Sequence, residues 1–108
     1  MKRVYVAVFT LVTALAVVLS LSLSAHAQNA SETLFKSKCA ACHGPDGTGS
    51  ATGKKLGAHD FTTAEVQKRT DAQLTDTITN GKGKMPAYKS LKPEDIKGLV
   101  AYIRTLKK

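Results

Sequence analysis

The chain has no tryptophan, and its tyrosines and phenylalanines together come to six residues. Large aromatic anchors are too scarce to fill a core, so something apolar from outside the polypeptide is expected to supply part of it. Strand alternation sustained over several residues is also missing, as are internal repeats and any low-complexity tail, which sets aside β architectures and repeat solenoids. With 108 residues there is room for one domain and not for a multidomain enzyme. A domain this small buries only about 60% of the surface its unfolded chain exposes, so a staple, metal or cofactor becomes an expected aid to stability. Acidic residues are few, eight against 16 lysines and arginines. That excess fits nucleic acid, an anionic membrane or an acidic protein, and charge alone does not choose among them.

The N-terminus narrows the choice. Lys2 and Arg3 form a positive start, Val4 to Leu23 is apolar, and Ala25-His26-Ala27 is a small-x-small cleavage site before Gln28. Residues 1–27 therefore read as an export signal, with residues 28–108 as the working domain in the periplasm. Export removes nucleic acid as a partner. The apolar run is also long enough to cross a bilayer if it is retained, which would tether the same domain to the outer face of the inner membrane.

After the leader, Glu32 to Cys42 suits a brief helix. Gly44 to Gly57 has the glycine-rich composition of a loop, either a free linker or a wrap over a ligand. Asp60 to Lys68 suggests a short helix capped by Thr62 or Thr63, and Thr70 can cap a second over Asp71 to Asn80, stopped by Gly81. The last helix starts at Pro93, with Glu94 and Asp95 complementing its dipole. It carries Ile96, Leu99, Val100, Ile103 and Leu106 as one stripe, with Tyr102 at the edge.

Both cysteines lie in Cys39-Ala40-Ala41-Cys42-His43, and C-x-x-C-H is the attachment signature of a c-type haem. On one helical turn the two thiols point to nearly the same side, where they can meet the two vinyl groups on one porphyrin edge. His43 then presents its imidazole to the iron. Three other chemistries use such a pair. Zinc lacks further cysteines, since only His43 and His59 remain as histidines after processing. A thioredoxin-like redox pair needs a βαβ pattern that is missing here. A disulfide is possible after export, but its loop is too small to remove much entropy from the unfolded chain.

A haem held by one histidine has an open sixth position, for which Gly81-Lys82-Gly83-Lys84-Met85-Pro86 offers Met85. A lone methionine is commonly core filling. This one sits in a glycine-, lysine- and proline-rich loop where no apolar stripe needs it. His59 is the rival ligand, read instead as a surface or supporting histidine.

The attachment motif, the Met85-Pro86 loop and a closing helix ending Leu-Val-Ala-Tyr-Ile-Arg together resemble a small class I cytochrome c of bacteria, over essentially all of the chain beyond the leader. The resemblance implies an all-α fold of three to five helices wrapped around one covalent haem c. It also implies an N-terminal helix crossing the C-terminal one, with Leu34 and Phe35 against Leu99, Tyr102 and Ile103. Cys39 and Cys42 would be the attachment residues, with His43 and Met85 as axial ligands. The function implied is one-electron transfer by an electron carrier rather than an enzyme, a haem enzyme or gas-binding module being the alternative if Met85 does not ligate. Partners would be acidic redox proteins or membrane respiratory complexes, steered by Lys36, Lys38, Lys82, Lys84 and Lys89 if these ring the haem edge. A monomer is expected. One departure stands out: the family's proline carbonyl behind the proximal histidine has no counterpart in Lys54 to Ala58, and Pro45 is the only proline nearby.

Overall fold

A computed structural model describes all 108 residues as six helices with no sheet. They are α1 (Lys2–Lys38), α2 (Ala40–His43), α3 (Ala51–Lys55), α4 (Ala64–Gln67), α5 (Asp71–Asn80) and α6 (Pro93–Thr105). The all-α class agrees with the expectation. The count rises because α2, α3 and α4 are each about one turn long.

Nothing between Lys2 and Lys38 breaks a helix, since the segment holds neither glycine nor proline, so α1 runs unbroken through the leader into the domain. Residues 1–30 are exposed throughout, and contact with the body begins at Ser31. By length and composition α1 is apolar enough to cross a membrane. The expected helix over Glu32 to Cys42 is thus the tail of a longer one, interrupted at Cys39, and α2 resumes for a single turn.

The domain rests on the crossing of α1 with α6. Gly98 lets the two backbones approach, because a Cβ there would overlap the Ser31 hydroxyl. Beside it Phe35 is 1% exposed and packs on Tyr102 with ring centroids 5.0 Å apart and on Phe61 at 6.1 Å. Leu99, Val100 and Ile103 are buried in the same cluster, with Leu34 at its margin. The stripe read along α6 is therefore the stripe that packs.

Helix α5 closes the core with Leu74 and Ile78. Its start is a full capping box, in which the Thr70 hydroxyl accepts from the Gln73 amide and the Gln73 side chain accepts from the Thr70 amide. Gly81, at φ 72°, ends it. The loop expected over Gly44 to Gly57 is not all loop. Ser50 caps α3 by accepting from the Gly53 amide at 2.9 Å, a helix hidden by the poor propensity of Thr52 and Gly53.

Candidate functional site

The attachment turn is fixed almost entirely by backbone. Gly44 ends α2 at φ 75°, and the Gly49 and Ser50 amides donate to the carbonyls of His43 and Cys42 at 2.7 and 2.9 Å. The Ser50 hydroxyl donates to the Ala41 carbonyl at 2.7 Å, with the Cys42 carbonyl at 3.2 Å as a second acceptor. Behind them α3 packs so closely that a Cβ on Gly53 would overlap the Cys42 carbonyl oxygen. The loop between α2 and α3 thus wraps the turn and fixes its direction.

Met85 is presented by a tight turn, Lys82 to Met85, closed by two backbone hydrogen bonds of 2.9 and 3.2 Å. Gly83 supplies the positive φ of 57° that the first central position of a type II′ turn requires. Gly81 is needed for room as well, since a Cβ there would lie 2.5 Å from the Met85 carbonyl oxygen. The Tyr88 hydroxyl donates to the Lys38 carbonyl at 3.0 Å, fastening this loop to the end of α1. Met85 also packs half-buried against the edge of the core.

These segments surround one cavity of about 420 Å³, and Cys39, Cys42, His43 and Met85 all line it. Both cysteines are free thiols, so the disulfide alternative is not what the structure shows. Burial pushes the Cys39 thiol up to about 11. No group of three or more metal-binding side chains is assembled anywhere in the chain.

His43 is held as a neutral imidazole. Burial lowers its pKa, the His59 backbone opposes that shift, and the charge of His59 adds to it. Nδ1 is buried with no hydrogen-bond partner, so the place of the family's proline carbonyl is not filled by another acceptor. Phe61 stacks on the imidazole at 4.3 Å between centroids and 21° between planes. A half-buried imidazole stacked on Phe61 beside two thiols fits the demands of a covalently attached porphyrin.

Of the residues in question, His59 lies at the cavity through its backbone and ring, but its imidazole engages Glu65 and Arg69, each at 3.5 Å. Lys38, Lys82 and Lys84 line the cavity. Lys36 is turned aside by an ion pair with Glu32 at 2.6 Å, and Lys89 is not among the lining residues. Phe61 and Arg69 were not found by sequence reasoning. They come from a loop and from helix ends without a periodic signal.

An all-α shell closed by a crossing of terminal helices, around a pocket with paired thiols and a neutral histidine, defines the class of c-type cytochrome domains. The family described as "Cytochrome C oxidase, cbb3-type, subunit III" matches residues 26–103. The chain belongs to the cytochrome c family of electron-transfer proteins, which implies covalently bound haem c. Subunit CcoP of the cbb3-type cytochrome c oxidase of Azospirillum brasilense is 41% identical over 89 residues, or 79% of this chain, and the chain spans only 30% of that protein's length. Cytochrome c6 of Anabaena variabilis is 37% identical over 65% of this chain and 80% of its own. The solved structure of the KustC0563 c-type cytochrome is 38% identical, with a TM-score of 0.66 over 71% of this chain and 96% of that one.

The contact between α3 and the attachment turn makes a prediction. Gly53→Ala should destabilise the protein by about 3 kcal/mol, because backbone and not a flexible side chain stands in the way. Thr52→Ala, at an exposed neighbour, should be nearly neutral. Denaturant unfolding of both variants checks this, and equal stability of the two would show that α3 does not press on the turn.

Proposed function

We propose that this domain is a periplasmic carrier of single electrons, with one haem thioether-linked to Cys39 and Cys42 and axially ligated by His43 and Met85. The observation that carries the reading is the convergence of these four side chains, from two distant segments, on one cavity. A single C-x-x-C-H among these residues supports a single haem. Bound there, haem supplies a one-electron Fe(III)/Fe(II) couple, whose potential a thioether ligand raises relative to harder or anionic ligands.

The protein's own part is to hold and insulate. The Phe61 ring stacks on the imidazole, and the Lys82–Met85 turn aims the sulfur into a cavity whose surface is largely apolar. With both axial positions filled by protein, no substrate need enter, which is the basis for reading a carrier and not an enzyme. Residues 1–27 act as a cleaved export signal, a reading supported by their exposure along the whole segment. Lys38, Lys82 and Lys84 at the cavity steer an acidic partner, and likeness to an oxidase subunit points to a membrane respiratory complex among such partners.

Three outcomes are expected. The holoprotein should be low-spin in both redox states, lose its ferric sulfur-to-iron band in Met85→Ala, and show no carbon monoxide shift when reduced; ready carbon monoxide binding by the unaltered protein would favour gas binding or catalysis instead. Replacing Lys38, Lys82 and Lys84 with glutamine should slow oxidation by anionic ferricyanide about tenfold at low salt, an effect lost near 1 M salt. Rates that do not change would leave these lysines as ordinary solvated surface. Protein recovered from the periplasm without detergent should begin at Gln28, whereas recovery only from membranes with residues 1–27 intact would make α1 an anchor.

A further inference from the structure

The polar contacts of α6 converge on Arg104. Its Nε and Nη2 donate to Asp71 Oδ1 at 3.1 and 2.8 Å, Nη1 donates to the Gln67 carbonyl at 3.0 Å, and Nη2 donates to the Arg69 carbonyl at 2.6 Å. Gln67 extends the clamp, its Nε2 donating to the carbonyls of Phe61 at 2.7 Å and Ile103 at 2.9 Å. Two side chains thus pin the segment from Phe61 to Asp71 onto the closing helix. Within that segment Arg69 turns its guanidinium to the cavity, 3.5 Å from His59 Nε2 and 3.3 Å from Glu65 Oε1. Glu65 is 69% exposed, so solvent screens its pairing with Arg69, whose own side chain is 26% exposed at the cavity.

Resting on the haem-carrier reading above, we infer that Arg104 is a positioning residue: it holds the Arg69 backbone so that the Arg69 guanidinium faces the cavity, where that charge raises the reduction potential. The sign follows from electrostatics. A fixed cation beside the iron opposes the extra positive charge of the ferric state and favours the ferrous one. The fork geometry is essential to the clamp. A guanidinium reaches two carbonyls and a carboxylate at once, which a lysine ammonium on a flexible stem does not do. Both arginines pair with mostly exposed carboxylates, Asp71 at 77% and Glu65 at 69%, but only Arg69 lines the cavity, so the effect is assigned to Arg69.

The test is a double-mutant cycle on the haem-loaded protein, read as reduction potential by equilibrium titration. Arg69→Gln should lower the potential, Arg104→Ala should lower it in the same direction, and Arg104→Lys should recover less than half of that shift. In the Arg69→Gln background, Arg104→Ala should add no further shift. Equal shifts in both backgrounds, or no shift from either single variant, would overturn the inference. If Arg104→Ala is too unstable to purify, Arg104→Lys is compared across the same two backgrounds with the same criteria. Visible spectra recorded for every variant separate the two levels of failure. An unaltered protein without a low-spin six-coordinate spectrum defeats the haem-ligation reading, whereas intact spectra with additive shifts defeat the positioning role alone.

Discussion

The crossing of α1 and α6 is the contact on which the rest of the molecule depends. It is made where Gly98 meets Ser31 and where Phe35, 1% exposed, is enclosed by Phe61 and Tyr102. Burying a side chain of that size stabilises by about 2 to 3 kcal/mol, a large share for a domain with only nine buried apolar residues. The crossing also sets the register of the site. Phe35 lies one helical turn before Cys39, and its ring touches Phe61, which stacks on His43. A displaced Phe35 would therefore move the attachment turn and the imidazole together.

Helix identity was legible where local chemistry and tertiary demand agreed. Thr70, Gly81 and Pro93 mark ends that the structure keeps within a residue, and the α6 stripe is the buried face. Legibility failed where packing overrides propensity. Helix α3 exists because Ser50 caps it and because Gly53 must lie flat on Cys42, while composition alone argues for loop. The start of the helix expected from Glu32 was missed for the opposite reason: every residue from Lys2 to Lys38 tolerates helix, so propensity sets no start inside that run.

The candidate site divides along the same line. Cys39, Cys42 and His43 stand out in the sequence because covalent attachment demands fixed spacing, and Met85 because it sits in a glycine- and lysine-rich loop outside any apolar stripe. The surroundings of those residues are not readable. Phe61 and Arg69 reach the site through loop conformation, where neighbours in space are far apart in sequence. Lys36 shows how proximity in sequence misleads, since its position two residues before Lys38 puts it on another side of α1, paired with Glu32.

A thin core and a lined cavity are two aspects of one design. The nine buried apolar residues lie mainly at the crossing and on α5, while the attachment turn and the Met85 turn have little beneath them but the cavity. Those turns are held by backbone hydrogen bonds and by glycines at positive φ, which constrain local shape without supplying burial. An apolar group filling the space would add the burial that these turns lack, and because it would bind only the folded arrangement it would stabilise the fold by linkage. Stability and electron transfer then rest on the same contacts. Cys39, Ala40 and Met85 touch only the margin of the core, so a group held between these two segments would complete the fold with the same geometry that sets the redox centre.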